Sequence, residues 1–428
     1  MLLLSVLAMI FIAPRYVLTF GVPTPVLHTG VGPGNIRVYN YEIVVAAALA
    51  VGWKRSPRLA EPAFWPFLVV LAFLAITVWD RSPLVTAGVL HFAFACLAYT
   101  VGRRMARKEL RTDETRLLLR GIAAILVFEL LAGGLALYGF QLPLVGESDN
   151  QAVVGRLAGT TSHPNTLGKY VALISVLALP LTRSLDRETR RIAWCVLVMA
   201  LVVAALTGGR AVLVGLGLAL VLWTLLYRSA GAPEMPRLVK LVLLGAMVAP
   251  FAAATLGRFG EDPEGGSRPL LLEVFWENIG AFLVWGAGPN TYVETLSNFS
   301  VITAVRQLPV HNAVLLSLAE FGVVCWALFW MPILAVYLRA VMRVTTGRGD
   351  GSGHALALAA SFPMILLLTL TGWGMVAGPG LTMWLLILGF MSEKGRVGDA
   401  HLDAPGLPLA ERSQRDSDLQ FDESERPT

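Results

Sequence analysis

Long apolar runs alternate with short polar breaks along most of the chain. Stretches such as Phe67–Val78, Val196–Leu206 and Ala211–Leu226 hold almost no charge. A helix that crosses the hydrocarbon core of a bilayer needs about 20 predominantly apolar residues. The pattern predicts spans near 2–20, 40–53, 64–79, 84–102, 118–140, 166–183, 191–207, 210–227, 238–256, 312–340, 355–372 and 374–391, about twelve in all. Pro14 and Arg15 interrupt the first run. It lacks a basic leader and a clear small-residue cleavage site, so it reads as a span rather than a signal peptide. The expected fold class is all-α, a polytopic transmembrane helical bundle over 1–392. From Glu393 to 428 the chain is polar, mixed in charge and rich in Pro, and is expected to be a disordered cytoplasmic tail.

Composition agrees with a membrane chain. Hydrophobic residues make up 56% and charged residues 15%, against about 25% charged in a soluble domain. The net charge of +5 points less to nucleic acid than to topology, because the Lys and Arg residues gather in alternate loops. One set holds Lys54, Arg55 and Arg58; Arg103, Arg104, Arg107, Lys108 and Arg111; Arg183, Arg187, Arg190 and Arg191; Arg228, Arg237 and Lys240; and Arg339, Arg343 and Arg348. The positive-inside rule assigns this set to the cytoplasm. Cys96, Cys195 and Cys325 sit inside apolar runs, with neither metal-ligand spacing nor a disulfide framework.

The opposite set of loops is expected outside: 141–165, a tight turn at 207–210, and a long loop at 257–311. The last carries Gly, Pro, aromatics and a candidate amphipathic helix around Leu270–Trp285, which suits a partly helical loop resting on the membrane surface. Few basic residues face outward: Arg37, Arg81, Arg156, Arg210, Arg258, Arg268 and Arg306, with Lys169 near a span end. Arg37, Arg81 and Lys169 read as snorkelling side chains.

Arg210 follows Thr207-Gly208-Gly209 and opens an apolar helix. Free N–H groups at a helix start, joined to a guanidinium, make an anion site; the plainer reading is a snorkelling helix-end arginine. The stretch from Gly155 to Gly168 contains Arg156, His163 and Asn165 and leads into a span. Asn165 or Thr166 can cap that helix. His163 either faces the site or hydrogen-bonds within the turn. His311-Asn312 opens the span after the long loop. His311 is either structural or a proton acceptor, kept neutral by nearby arginines. Glu261, Asp262 and Glu264 form an outward acidic cluster, either a divalent-cation site or a solvated loop. Glu42, Glu129 and Glu320 lie within or at the ends of spans, where ionisable groups are expensive and often functional. Together these parts suit displacement of a pyrophosphate leaving group, with arginines taking the developing charge and a neutral histidine taking a proton from a sugar hydroxyl.

Four segments carry a resemblance: Thr207-Gly208-Gly209-Arg210-Ala211; Gly266-Ser267-Arg268 followed by Trp276; Trp285-Gly286-Ala287-Gly288-Pro289-Asn290-Thr291-Tyr292; and His311-Asn312 running to Glu320-Phe321-Gly322. In this order, and on one side of the membrane, they resemble the bacterial O-antigen ligase and O-antigen polymerase superfamily over about 150–330. The resemblance implies a GT-C-like bundle and a metal-independent glycosyltransferase with no cofactor. It would act at the outer, periplasmic face of the cytoplasmic (inner) membrane. The donor would be a polyprenyl-pyrophosphate-linked glycan, and the acceptor a glycan, lipid or protein. It places Arg210 and Arg268 on the pyrophosphate and His311 as general base. Arg156, His163, Asn165, Asn312, Arg258 and Arg306 remain as candidates for substrate binding. The chain departs from the ligase pattern at Val214, where Leu is expected, and at Cys325, where Gly, Thr or Tyr is expected. Ligase and polymerase both stay open. The rival from another class is a transporter or flippase of lipid-linked oligosaccharide, whose site would lie near the bilayer midplane; here the candidate residues gather at span ends.

Overall fold

A computed structural model of the chain describes residues 2–12, 16–20, 36–53, 65–78, 83–107, 110–140, 155–161, 163–226, 245, 266–346, 353–376 and 378–400. The apolar runs form helices: α1 (Leu2–Ile12), α2 (Asn40–Trp53), α3 (Trp65–Val78), α4 (Pro83–Arg107), α5 (Thr112–Leu137), α6 (Pro164–Ala178, followed by a 3-10 turn at Pro180–Arg183), α7 (Arg187–Leu206) and α8 (Arg210–Leu226). After the long loop begin α9 (Arg268–Asn278), α10 (Tyr292–Ser297), α11 (Val301–Arg306), α12 (Ala313–Thr345), α13 (Gly353–Leu370) and α14 (Gly378–Ala400). Among the described residues six helices are long and apolar enough to cross a membrane: Leu84–Arg107, Thr112–Leu137, Pro164–Arg183, Arg187–Leu206, Ala313–Thr345 and Gly353–Leu370. Leu2–Phe11, Asn40–Ala50, Trp65–Ile76 and Arg210–Leu226 are apolar but shorter. The span expected at 238–256, the acidic cluster at 261–264 and the chain after Ala400 lie outside the described residues.

Three expectations change. The first run is not one span: α1 stops at Ile12, and the chain from Tyr16 to Phe20 is a strand, β1, paired antiparallel with β2 (Ile36–Tyr39). A proline disfavours the helical conformation in the residue before it, and Pro14 stands two residues past the end of α1. Among the described residues the fold is therefore helical with one antiparallel strand pair. The span expected over 312–340 is broken: α12 kinks at Gly322, whose φ of 73° and ψ of 165° are not helical. The candidate amphipathic helix in the long loop ends at Asn278, short of Trp285. It buries Leu271, Val274 and Phe275 and exposes Leu272 and Trp276.

The break in α12 is filled by the segment from Leu283 to Gly288. The Ala287 and Gly288 N–H groups donate to the Ala319 and Glu320 carbonyls at 2.8 and 2.9 Å, and Val323 N–H donates to the Leu283 carbonyl at 2.8 Å. A helix interrupted in a membrane leaves backbone groups that must find partners inside the protein, and this strap supplies them. The approach needs glycine on both sides. A Cβ on Gly286 would overlap the Glu320 carbonyl, and one on Gly322 would overlap the Val284 carbonyl; both have positive φ. Trp285 stacks on Phe73 of α3, centroids 6.1 Å apart, and Pro289 packs on Gly88 of α4.

At the opposite end of α4, Gly102 and Gly389 let α4 and α14 touch backbone to backbone, the close approach small residues permit in membrane helices. There Glu393 accepts from Arg103 Nε at 3.0 Å and from Arg107 Nε at 3.0 Å. Arg103 and Glu393 are both buried. The helix thus runs past the boundary expected at Glu393, as far as Ala400.

Candidate active site

Two short segments meet where α6 begins and where α7 turns into α8. Thr207-Gly208-Gly209 makes the turn, Gly208 with φ of 61°. Leu157 N–H donates to the Leu206 carbonyl at 3.0 Å. Arg156 Nε donates to the Thr207 carbonyl at 2.7 Å, and its Nη2 donates to Asn165 Oδ1 at 2.5 Å. One guanidinium thus ties the loop before α6, the first turn of α6 and the α7–α8 turn together. Arg210 starts α8 immediately after that turn and is half-buried.

His163 caps α6. Its Nδ1 accepts from Asn165 N–H at 3.0 Å, so a neutral His163 carries its proton on Nε2. The structural and the site-facing readings of His163 are compatible: one nitrogen serves the cap and the other is left for a ligand. The loop is held from below by Glu129 of α5, which is fully buried. Its carboxyl meets Thr160 N–H at 2.7 Å and Thr160 Oγ1 at 2.7 Å, while the Thr160 hydroxyl also donates to the Phe11 carbonyl of α1. Gly159 has positive φ, and a Cβ there would strike Glu129. The single Thr160 proton is engaged by Phe11, so an amide can replace the carboxyl with its donor towards Thr160 Oγ1 and its acceptor towards the N–H. Glu129→Gln is accordingly expected to fold and work as wild type. Glu129→Leu strands the buried Thr160 N–H and should lose about 1–3 kcal/mol of stability, read as a lower melting temperature in detergent. Equal melting of both variants would remove Glu129 as the loop's anchor.

His311 precedes α12, and Asn312 is its cap, Oδ1 accepting from Val314 and Leu315 N–H at 3.0 and 3.1 Å. The Asn312 oxygen is therefore spent on the helix. His311 Nδ1 is buried with no hydrogen-bond partner among the described residues. Arg268 opens α9 and is exposed. Burial lowers His311 to about 4, helped by Arg268, Lys169 and His163 and opposed by the Pro309 carbonyl. Burial likewise lowers His163 to about 4, helped by Arg156, Lys169 and Arg268. Both rings are neutral at pH 7. Each fixed charge named as acting on them is positive, so the surroundings of the two rings favour an anion.

The structure thus gathers Arg156, His163, Asn165, Arg268 and His311 at one end of the bundle, with Arg210 beside the turn that Arg156 grips. Arg306 ends α11 exposed, and among the described residues no hydrogen bond or ion pair joins it to this group. Arg258 lies outside the described residues. Two participants escape a sequence reading. Lys169 looks like a span-end cation but acts on both histidines. Glu129 looks like one of several intramembrane acids, and no spacing ties it to Thr160. Glu320 is buried under the Asn290–Tyr292 turn, its carboxyl facing the N–H groups of Asn290 and Tyr292.

Residues 195–330 match the model of a family described as O-Antigen ligase. The match runs from α7 through the α7–α8 turn and the strap to the middle of α12, so it contains Arg210, Arg268 and His311. No curated protein matches the chain.

Proposed function

From the match of residues 195–330 to the O-Antigen ligase family model, we propose that the protein transfers or polymerises glycan from a polyprenyl-pyrophosphate donor at the outer face of a bacterial cytoplasmic membrane. The observation that carries this reading is the placement of His311 before α12, its Nδ1 without a hydrogen-bond partner among the described residues, with the Arg268 and Lys169 cations acting on it. The acceptor hydroxyl oxygen attacks the anomeric carbon of the donor sugar. The bond from that carbon to the pyrophosphate oxygen breaks, and its electron pair leaves with the lipid pyrophosphate. His311 takes the hydroxyl proton. Arg268 and Arg210 stabilise the charge that grows on the leaving group. Guanidinium groups carry the electrostatic work, so the reaction is expected to survive a chelator.

The test is direct. Purified protein in detergent receives lipid-linked repeat units and a chelator, and mass spectrometry looks for a new glycosidic bond. Intact donor, together with its movement across vesicles holding the protein, would make the protein a transporter instead.

The histidine environment sets a pH prediction. A base with a lowered value is neutral above it and is lost as pH falls through it. The acid limb of kcat/KM, which reports the free enzyme, is expected near pH 4 rather than 6.5. A bound pyrophosphate adds negative charge and favours the imidazolium. The acid limb of kcat, which reports the substrate complex, should therefore lie at higher pH. Coincident limbs at the ordinary histidine value would overturn the assignment of His311 as base.

A further inference from the structure

Lys169 is a cation that the chemistry above does not use. It is the sixth residue of α6, about 8 Å along the axis from the helix start. It shares a face with Asn165 one turn earlier, the residue that receives Arg156. Its ammonium points at the turn between α13 and α14. A methyl group on Gly372 would stand 2.5 Å from Nζ, and one on Gly374 would stand 3.3 Å away. That turn is thus trimmed to backbone around the amine. Among the described residues the ammonium has neither a carboxylate nor a hydrogen-bond acceptor. The nearby charged or titratable groups on which its field acts are Arg268, His163 and His311, none of them an anion. Lys169 is half-buried, and an ammonium partly withdrawn from water without a counter-ion is costly, so an anion completes this arrangement.

We propose that Lys169 binds the lipid-proximal phosphate of a polyprenyl pyrophosphate, while Arg268 binds the phosphate that carries the sugar. The order follows from the elements that carry the two cations. Lys169 lies within α6, a helix long and apolar enough to cross a membrane, whereas Arg268 stands exposed at the start of the short α9, and a lipid pyrophosphate lies with its chain towards the membrane interior. A lysine suits the deeper position, being a compact point charge on a flexible stem. The inference rests on the glycan-transfer reading.

The experiment measures binding of undecaprenyl phosphate and undecaprenyl pyrophosphate to the full-length protein in nanodiscs. The monophosphate retains only the lipid-proximal group. Lys169→Met is expected to weaken both lipids about tenfold or more, the scale of a lost charged hydrogen bond. Arg268→Met should weaken the pyrophosphate and spare the monophosphate. Gly372→Ala keeps the charge but pushes the ammonium aside, and should weaken both lipids without Lys169 being altered. Wild-type binding of both lipids by Lys169→Met and Gly372→Ala would overturn the proposal. So would the opposite pattern, with Arg268 needed for the monophosphate and Lys169 only for the pyrophosphate. If the wild-type protein forms glycosidic bonds while Lys169→Met binds normally, only the Lys169 assignment falls. If the wild type binds neither lipid and forms no bond, the transfer reading falls with it.

Discussion

His311→Ala is expected to slow glycan transfer by about 10²- to 10⁴-fold, the usual contribution of a positioned acid or base, with the folded yield unchanged. The side chain stands just outside α12, and the helix start is capped by Asn312. Its Nδ1 has no partner among the described residues, so truncation strands no buried group through that atom. The loss should appear in kcat, because the proton moves in the transition state. Arg210→Ala is expected to cost about 10²- to 10³-fold, the scale of one lost electrostatic stabiliser. Here the loss should exceed the change in donor affinity, since charge on the leaving group grows as the bond breaks. Normal product from both variants, measured on a defined lipid-linked donor, would end the mechanism.

The largest structural effect is expected at the strap across α12. Gly322 and Gly286 both hold positive φ, and each faces a carbonyl of the other segment. Gly322→Ala demands from an L-residue a positive-φ, extended-ψ conformation that essentially only glycine adopts, about 1–3 kcal/mol. It also drives a methyl into the Val284 carbonyl, and overpacking adds about 1–3 kcal/mol. Because the obstacle is backbone, relief requires the strap to lift. Lifting would break the bonds from Ala287 and Gly288 to Ala319 and Glu320. Gly286→Val should act the same way from the other side. Both variants are expected to lose folded yield and melting temperature in detergent, while Gly280→Ala, with open space around it, should not. A Gly322→Ala protein as stable as wild type would show that the pairing is not needed.

The helices were legible because apolar runs of bilayer length leave few alternatives. The tight Gly208-Gly209 turn was legible because short glycine pairs between spans reverse the chain. The site's cations were legible as a class, since arginine is scarce in outward loops. Partnership was not. A glycine in an apolar run looks like a tolerated residue, so Gly322 gave no sign of a break. The Trp285–Tyr292 stretch carried a family resemblance without naming the helix it mends. Lys169 sits at the spacing of an interfacial lysine. Only the return of the α13–α14 turn over it reveals an unmatched charge. Glu129 belongs to the loop it supports through a contact with Thr160, and period along α5 carries no information about that.

The ion pair between α4 and α14 also fixes where the chain can be shortened. Glu393 is the carboxylate that neutralises buried Arg103. A terminus placed at Met391, where the long apolar run ends, would discard it and take the carboxylate away from a buried guanidinium. Trimming for expression, or fusing a reporter, should therefore begin beyond Ala400. A cysteine-reactive label or protease site added there would then report on the protein with the α4–α14 seam intact.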